Sequence, residues 1–236
     1  MKIQILTTFA VSLLSIALLG CNEEKRFAAT LKDSRDGKFY RTVKIGKQVW
    51  MAKNLDYEYN RGSAKSFCYE NDPDNCYWYG RLYTWSAAMD SAATFSVNGK
   101  GCGVGKNCIP ANPVRGICPE GWHLPTKEDW QTLFKTAGGP SKAMKALKFT
   151  EYWYEGYSGD DTYGFAAKPG GYRGDHSDIY HNHIYFSGGD GAMALFWSSS
   201  EQDSISAHAM EIHYSNDGSV IDVFKNHALS VRCIKD

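Results

Sequence analysis

The residues of this chain best equipped for chemistry crowd into Cys118-Pro-Glu-Gly-Trp-His-Leu-Pro125. A nucleophilic cysteine needs a free thiol and a base held against it. Two prolines that set φ and a glycine that permits a tight bend build a corner instead. Immediately downstream, Thr126 and Asp129 have the spacing of a helix N-cap and its third residue. Trp130, Leu133, Phe134 and Ala137 then recur at i, i+3, i+4 and i+7, and Gly138-Gly139-Pro140 ends the run. The stretch reads as the rigid approach to the principal helix, with Trp122 and Leu124 inserted into the core and Cys118 in a disulfide. A second short helix is predicted over residues 141–147.

Two further groups have metal-ligand chemistry. His181 and His183 alternate onto one face of a strand, with Asp175, His176 and Asp178 close in sequence. Zinc wants three or four converging ligands, and this strand face supplies two. Glu70-Asn-Asp-Pro-Asp-Asn75 offers oxygens, those of Asp72 and Asp74 foremost, to a hard cation such as calcium. The alternative there is a solvated turn between Cys68 and Cys76, and no cofactor is required by the pattern.

The segment 152–165, "YWYEGYSGDDTYGF", has ligand-binding composition. Flat rings stack on the apolar faces of sugars and carboxylates accept from their hydroxyls, which nominates Trp153, Tyr154, Tyr157, Asp160 and Asp161. The alternative is that these rings plug the core beneath an irregular loop. Asp160, Asp161, Asp175 and Glu201 are carboxylates a glycosidase could pair. Ser198-Ser199-Ser200 lacks the glycines of a nucleophile elbow, and the glycine-rich loop around residues 96–113 fails the phosphate-loop spacing. A non-catalytic protein is the reading adopted.

The elements that must carry these residues follow from the ends and the periodicities. Lys2 and the apolar run 3–19 form a secretion signal, residues 1–20. Leu18-Leu19-Gly20-Cys21 resembles a bacterial lipobox, so Cys21 is expected to carry lipid and anchor the chain to a membrane. Asn22 after it resembles an outer-membrane-sorted lipoprotein, which predicts an outer-membrane or cell-surface location. Residues 21–36 read as the lipidated N-terminus and a polar tether, and residues 37–236 as a single domain. Of the 7 cysteines, Cys21 aside, Cys68, Cys76, Cys102, Cys108, Cys118 and Cys233 remain, an even set in an exported chain. Six allow fifteen pairings, so the sequence alone does not choose. Short spacing favours Cys68–Cys76 and Cys102–Cys108, leaving Cys118 with Cys233. With 26 basic and 26 acidic residues there is no charge excess to bind nucleic acid.

"FYRTVKI" and "QVWM" flank Gly46-Lys47 as a two-residue hairpin. Residues 79–90 are predicted to be a short helix. Beyond Gly164, strands are expected at "GFAAK", "IYHNHIYF", "MALFWSSS", "SAHAMEIHYS", "VIDVF" and "LSVRCI".

In order along the chain, "IGKQVWMAKNLDY" (45–57), "YGRLYTWSAAM" (79–89), "CPEGWHLPTKEDW" (118–130), "GFAAKPGGYR" (164–173), "FWSSSE" (196–201) and "SVRCIKD" (230–236) resemble the Fibrobacter succinogenes major paralogous domain. That family is similar to groups with a C-type-lectin-like fold, of which formylglycine-generating enzymes are distant relatives. The resemblance implies an α+β domain of short helices on a small twisted antiparallel sheet, with long irregular loops stapled by disulfides. It implies that Cys118 and Cys233 form that fold's end-to-end disulfide. It transfers no activity: the lectin calcium motifs and the formylglycine cysteine pattern are absent. The function expected is a non-catalytic, lipid-anchored surface module that binds polysaccharide or another envelope ligand through aromatic-rich loops. The alternatives are a protein–protein scaffold in a surface assembly and, behind it, a hydrolase.

Overall fold

The computed structural model describes residues 27–175, 184–215 and 218–236. The chain opens with β1 (Phe27–Lys32), β2 (Phe39–Ile45) and β3 (Gln48–Met51), followed by the small hairpin of β4 (Asn60–Arg61) and β5 (Ala64–Phe67). A 3-10 turn over Tyr69–Asn71 leads to α1 (Pro73–Tyr79), β6 (Leu82–Thr84) and α2 (Trp85–Ala88). A long loop then reaches β7 (Trp122–His123), α3 (Lys127–Thr136) and α4 (Pro140–Leu147). The remaining strands are β8 (Tyr172–Asp175), β9 (Ile184–Ser187), β10 (Met193–Glu201), β11 (Ser206–His213), β12 (Gly218–Phe224), β13 (Ala228–Ser230) and β14 (Ile234–Lys235).

These form two sheets. One runs β1-β2-β3-β14-β7, so the last strand lies between the third and the threshold of α3. The other runs β12-β11-β10-β13-β6-β5-β4, with β8 on β13 and β9 on β8. β10 and β13 pair in parallel, and the other strand pairs are antiparallel. The result is a mixed α+β fold, mostly strand, with a curled sheet and few short helices.

Local chemistry explains the best-defined pieces. The Thr126 hydroxyl accepts from the Asp129 amide while the Asp129 carboxylate accepts from the Thr126 amide, a reciprocal cap on α3. In β2–β3, Ile45 faces Gln48 across the two-residue turn. Gly46 there has φ +61°, and a Cβ would sit 2.8 Å from Thr136 Cγ2, so glycine lets the turn meet the end of α3. "CPEGWHLP" is the corner foreseen: Trp122 and Leu124 are buried, and β7 pairs with β14. Pro125 O accepts from the Ser199 amide at 2.8 Å, and Ser200 Oγ accepts from the Lys127 amide at 3.0 Å. Ser199 and Ser200 thus brace the helix start. Cys118–Cys233 spans 115 residues of sequence at a Cα separation of 5.9 Å, and Cys68–Cys76 and Cys102–Cys108 close the local loops.

Four expectations are corrected. Part of the stretch read as tether is strand β1, paired with β2, and Asp33 behind it is buried. Its charges hid this because they satisfy one another: Arg35 donates to both Asp33 oxygens, at 2.9 and 2.7 Å, and to Ile117 O at 2.7 Å. Residues 79–90, expected as one helix, are helical at Tyr79, where α1 ends, and over α2, with β6 between, because Leu82 and Tyr83 enter the sheet beside β5 and β13. Residues 164–168 form no strand; Ala167 makes one bridge to Lys148. The segment between Cys68 and Cys76, read as a calcium loop or a solvated turn, holds the 3-10 turn and most of α1.

The interior is built on rings. Trp50 stacks on Trp130 at 4.6 Å, with Phe165 and Phe196 packed around them. A second cluster gathers Trp85, Trp197, Tyr83 and Leu229. Buried indoles need acceptors: Trp85 Nε1 donates to Ser198 O at 2.9 Å and Trp197 Nε1 to Tyr83 O at 2.6 Å.

Candidate functional site

The described residues form an open cleft of about 550 Å³. It lies between the outward face of β2, the chain just past β3, helix α1, and the long loop between α4 and β8. Alternation along β2 turns Phe39 and Arg41 outward while Tyr40 and Thr42 are buried. Ala52 and Lys53 continue this wall.

Helix α1 is short and held at both ends. Asp72 caps it, its Oδ1 accepting from the Asp74 amide at 2.9 Å, Pro73 occupies its first position, and Cys76 ties it to Cys68. The chain leaves it through Gly80, φ +78°, where a Cβ would lie 2.7 Å from Asn54 Cβ and 2.9 Å from Leu55 O. So fixed, α1 presents Tyr77 and Trp78 to solvent, 66% and 47% exposed, in edge-to-face contact at 5.1 Å. An indole left half in water on a disulfide-clamped helix is not serving the core.

The opposite wall holds Phe149, Asp161, Gly164, Ala166 and Lys168, and Tyr152 stacks on Phe149 at 6.0 Å. The Lys168 ammonium lies over three rings, Tyr152 at 4.6 Å, Phe149 at 5.3 Å and Trp78 at 5.4 Å. Lys53 lies 5.2 Å from the Tyr77 ring centre. Burial pushes both ammonium groups below the ordinary lysine value. For Lys168 the charge of Lys53 adds to this and Glu151 opposes it; for Lys53, Asp56 opposes it. Among the described residues neither ammonium has an ion-pair partner.

Beneath the cleft Arg232 is buried. It donates to Asn54 Oδ1 at 3.0 and 2.5 Å, to Met51 O at 3.3 Å and to Phe165 O, and its guanidinium lies 4.3 Å from the Phe165 ring centre. Burial pushes its pKa down to about 9, and the Asp161 charge opposes this. Asn54 in turn donates to Tyr79 O at 2.8 Å, joining the floor to α1.

The aromatic loop singled out in the sequence is divided. Trp153 is buried, its Nε1 donating to Ala167 O at 3.1 Å. Tyr154 and Tyr157 stand edge-on to Tyr214 at 5.2 and 5.0 Å, and the Tyr154 hydroxyl donates to Asp190 at 2.9 Å. Asp160 is exposed, 3.5 Å from the Lys145 ammonium. Asp161 alone of the five lines the cleft, where its Oδ1 accepts from the Ala166 amide at 2.8 Å. Asp72 and Asp74 belong to the α1 cap, and no group of three or more His, Cys, Asp and Glu side chains gathers as metal ligands among the described residues. Glu201 accepts from buried Lys225 and from the Cys108 amide at 2.7 Å. Asp175 lies 3.7 Å from Arg173 and lines a separate polar hollow of about 400 Å³. Cys21, His176, Asp178, His181 and His183 lie outside the described residues.

Sequence reasoning missed Phe39, Lys53, Tyr77, Trp78, Phe149, Tyr152 and Lys168. A signal existed in Tyr77-Trp78-Tyr79 directly after Cys76: three consecutive rings on one helix turn cannot share one buried face.

A sequence model of the Fibrobacter succinogenes major domain matches residues 43–235. The chain belongs to that family. Searches of curated proteins and of solved structures return no match. In this Fibrobacter succinogenes major domain the match covers the cleft except Phe39 and Arg41. The stretches 45–57, 164–173 and 230–236 meet at a smaller hollow beside it, which shares Lys53, Ala166 and Lys168 with the cleft and adds Asn54 and Arg232.

Proposed function

We propose that this protein is a non-catalytic, lipid-anchored surface module that binds polysaccharide through the ring-lined cleft. One observation carries the reading. Tyr77 and Trp78 are held exposed at the cleft on a helix clamped by a disulfide, facing rings from the opposite wall. Flat, half-solvated rings fixed in place give a sugar face its stacking area without an ordering cost at binding. A protein–protein scaffold would call for a broad apolar patch; here charged residues interrupt the rings. The Glu201 carboxylate is already engaged by Lys225 and the Cys108 amide, which favours binding over hydrolysis.

The fold proposed is C-type-lectin-like, supported by the disulfide that joins the last strands to the threshold of the main helix. Export and lipid on Cys21 rest on the lipobox-like N-terminus, and outer-membrane placement on Asn22. Titration of the full chain, purified in detergent, with plant-wall polysaccharides and peptidoglycan fragments tests the binding reading. Tryptophan fluorescence is expected to respond to one class and to lose that response in Trp78→Ala. A flat response across the panel would overturn it.

A further inference from the structure

Resting on that reading, we infer that the polysaccharide is acidic: a chain of uronate sugars whose carboxylates meet Lys53 and Lys168 while the sugar faces stack on Tyr77 and Trp78. Stacking alone would need rings and hydroxyl partners. This cleft also holds two half-buried ammonium groups. Taking an ammonium partly out of water costs free energy unless a partner compensates it. Aromatic faces supply part of that compensation without cancelling the charge, so the cleft keeps its positive sign. Lys168, over three rings, is held pointing among the very surfaces on which a sugar would lie.

The negative groups nearby do not neutralise the pair. Asp161 is bonded to the Ala166 amide and faces the buried Arg232 charge, Asp56 is 2.7 Å from Lys38, and Glu151 is exposed. A uronate chain matches what remains: flat apolar faces carrying one carboxylate per sugar. Lysine is a compact, rotatable point charge, which suits carboxylates repeated along a chain better than a single fixed bidentate pose.

The test is calorimetry on the full chain in detergent with three probes: oligogalacturonate, its fully methyl-esterified form, and poly-L-glutamate of similar charge. The acid is expected to bind about ten-fold or more tighter than the ester, with an affinity that falls as salt rises. Lys53→Gln with Lys168→Gln is expected to remove that difference, the acid's affinity falling to the level at which the same variant binds the ester. Equal binding of acid and ester by the wild type would overturn the acidic assignment and leave polysaccharide binding standing, a result independent of whether the double variant folds. Poly-glutamate binding as tightly as the acid would overturn the sugar assignment. Silence with all three probes overturns this inference, and silence with the plant-wall and peptidoglycan panel as well overturns the proposed function.

Discussion

The cations of the interior and those of the cleft differ in one respect. Arg232, Lys225 and Lys148 are all buried, and each spends its donors on fixed protein acceptors. Arg232 uses Asn54 and main-chain oxygens; Lys225 uses Glu201 and Lys106 O; Lys148 donates to Tyr157 O at 2.6 Å and Tyr214 O at 3.0 Å. Lys53 and Lys168 have ring faces and, among the described residues, no such acceptors. All five keep company with aromatic or polar walls, so ring contact alone does not separate the groups. Donor satisfaction does: the first three cross-link loops, and the other two are the charges that the proposed acidic ligand would meet.

Breaking the interior side should have the largest effect. Arg232→Leu strips donors from Asn54 Oδ1 and from the carbonyls of Met51 and Phe165, and is expected to cost about 3 kcal/mol or more in urea unfolding. A loss below about 1 kcal/mol would show that the floor does not depend on it. Next in size, Lys225→Met leaves Glu201 without its cation and is expected to cost about 3 kcal/mol, part of which returns when Glu201→Gln is added. Additive losses in that cycle would contradict a coupled pair.

Lys148 sharpens the comparison through pH. Burial pushes its ammonium down to about 8 from an ordinary 10.5. Below the lower value both states hold the proton and above the higher value neither does. Between them the unfolded chain binds the proton that the fold has released, so stability rises with pH, by at most about 1.4 kcal/mol per unit. The depressed Arg232 acts in the same direction above about 9. Tyr40 and Tyr83, raised by burial, lower stability once unfolded tyrosines ionise near 10. Denaturation between about pH 8 and 9.5 should therefore show a rise that Lys148→Met flattens. A slope unchanged in that variant would remove Lys148 from the account.

The smallest effect is expected at the cleft. Lys168→Gln and Trp78→Ala should each change stability by no more than about 0.5 kcal/mol, since neither side chain closes a buried hydrogen bond. A loss of 2 kcal/mol or so for either would place it with the interior group and weaken the binding assignment.

Some of this was legible in residue order because the forces involved are local. A cap three residues from its partner, an apolar stripe at helical spacing and a two-residue turn between β-rich runs are contacts between near neighbours, and α3, α4 and the β2–β3 hairpin formed as their patterns required. The disulfides followed from cysteine spacing together with the family resemblance, and the family itself from six ordered stretches. β1 was hidden because its flanking charges looked like solvation until Arg35 was seen folded onto Asp33.

The site was less legible for a different reason. Trp153 and Trp78 are the same residue type in similarly aromatic surroundings, yet one donates its indole proton inside the core and the other stands in water. Composition identified the ring-rich loop but not which ring faced which way.

What the sequence determined by itself was the class of molecule: six pairable cysteines, a helix with its cap, alternating strands and a family signature, all written in residue types and short spacings. What the tertiary structure alone decided was the cleft. Its walls come from β2, the turn after β3, α1 and the loop before β8, segments far apart in the chain, and buried Arg232, just before β14, joins Met51, Asn54 and Phe165 beneath them. Exposure is a property of what packs on the other side, and that partner lies far along the chain.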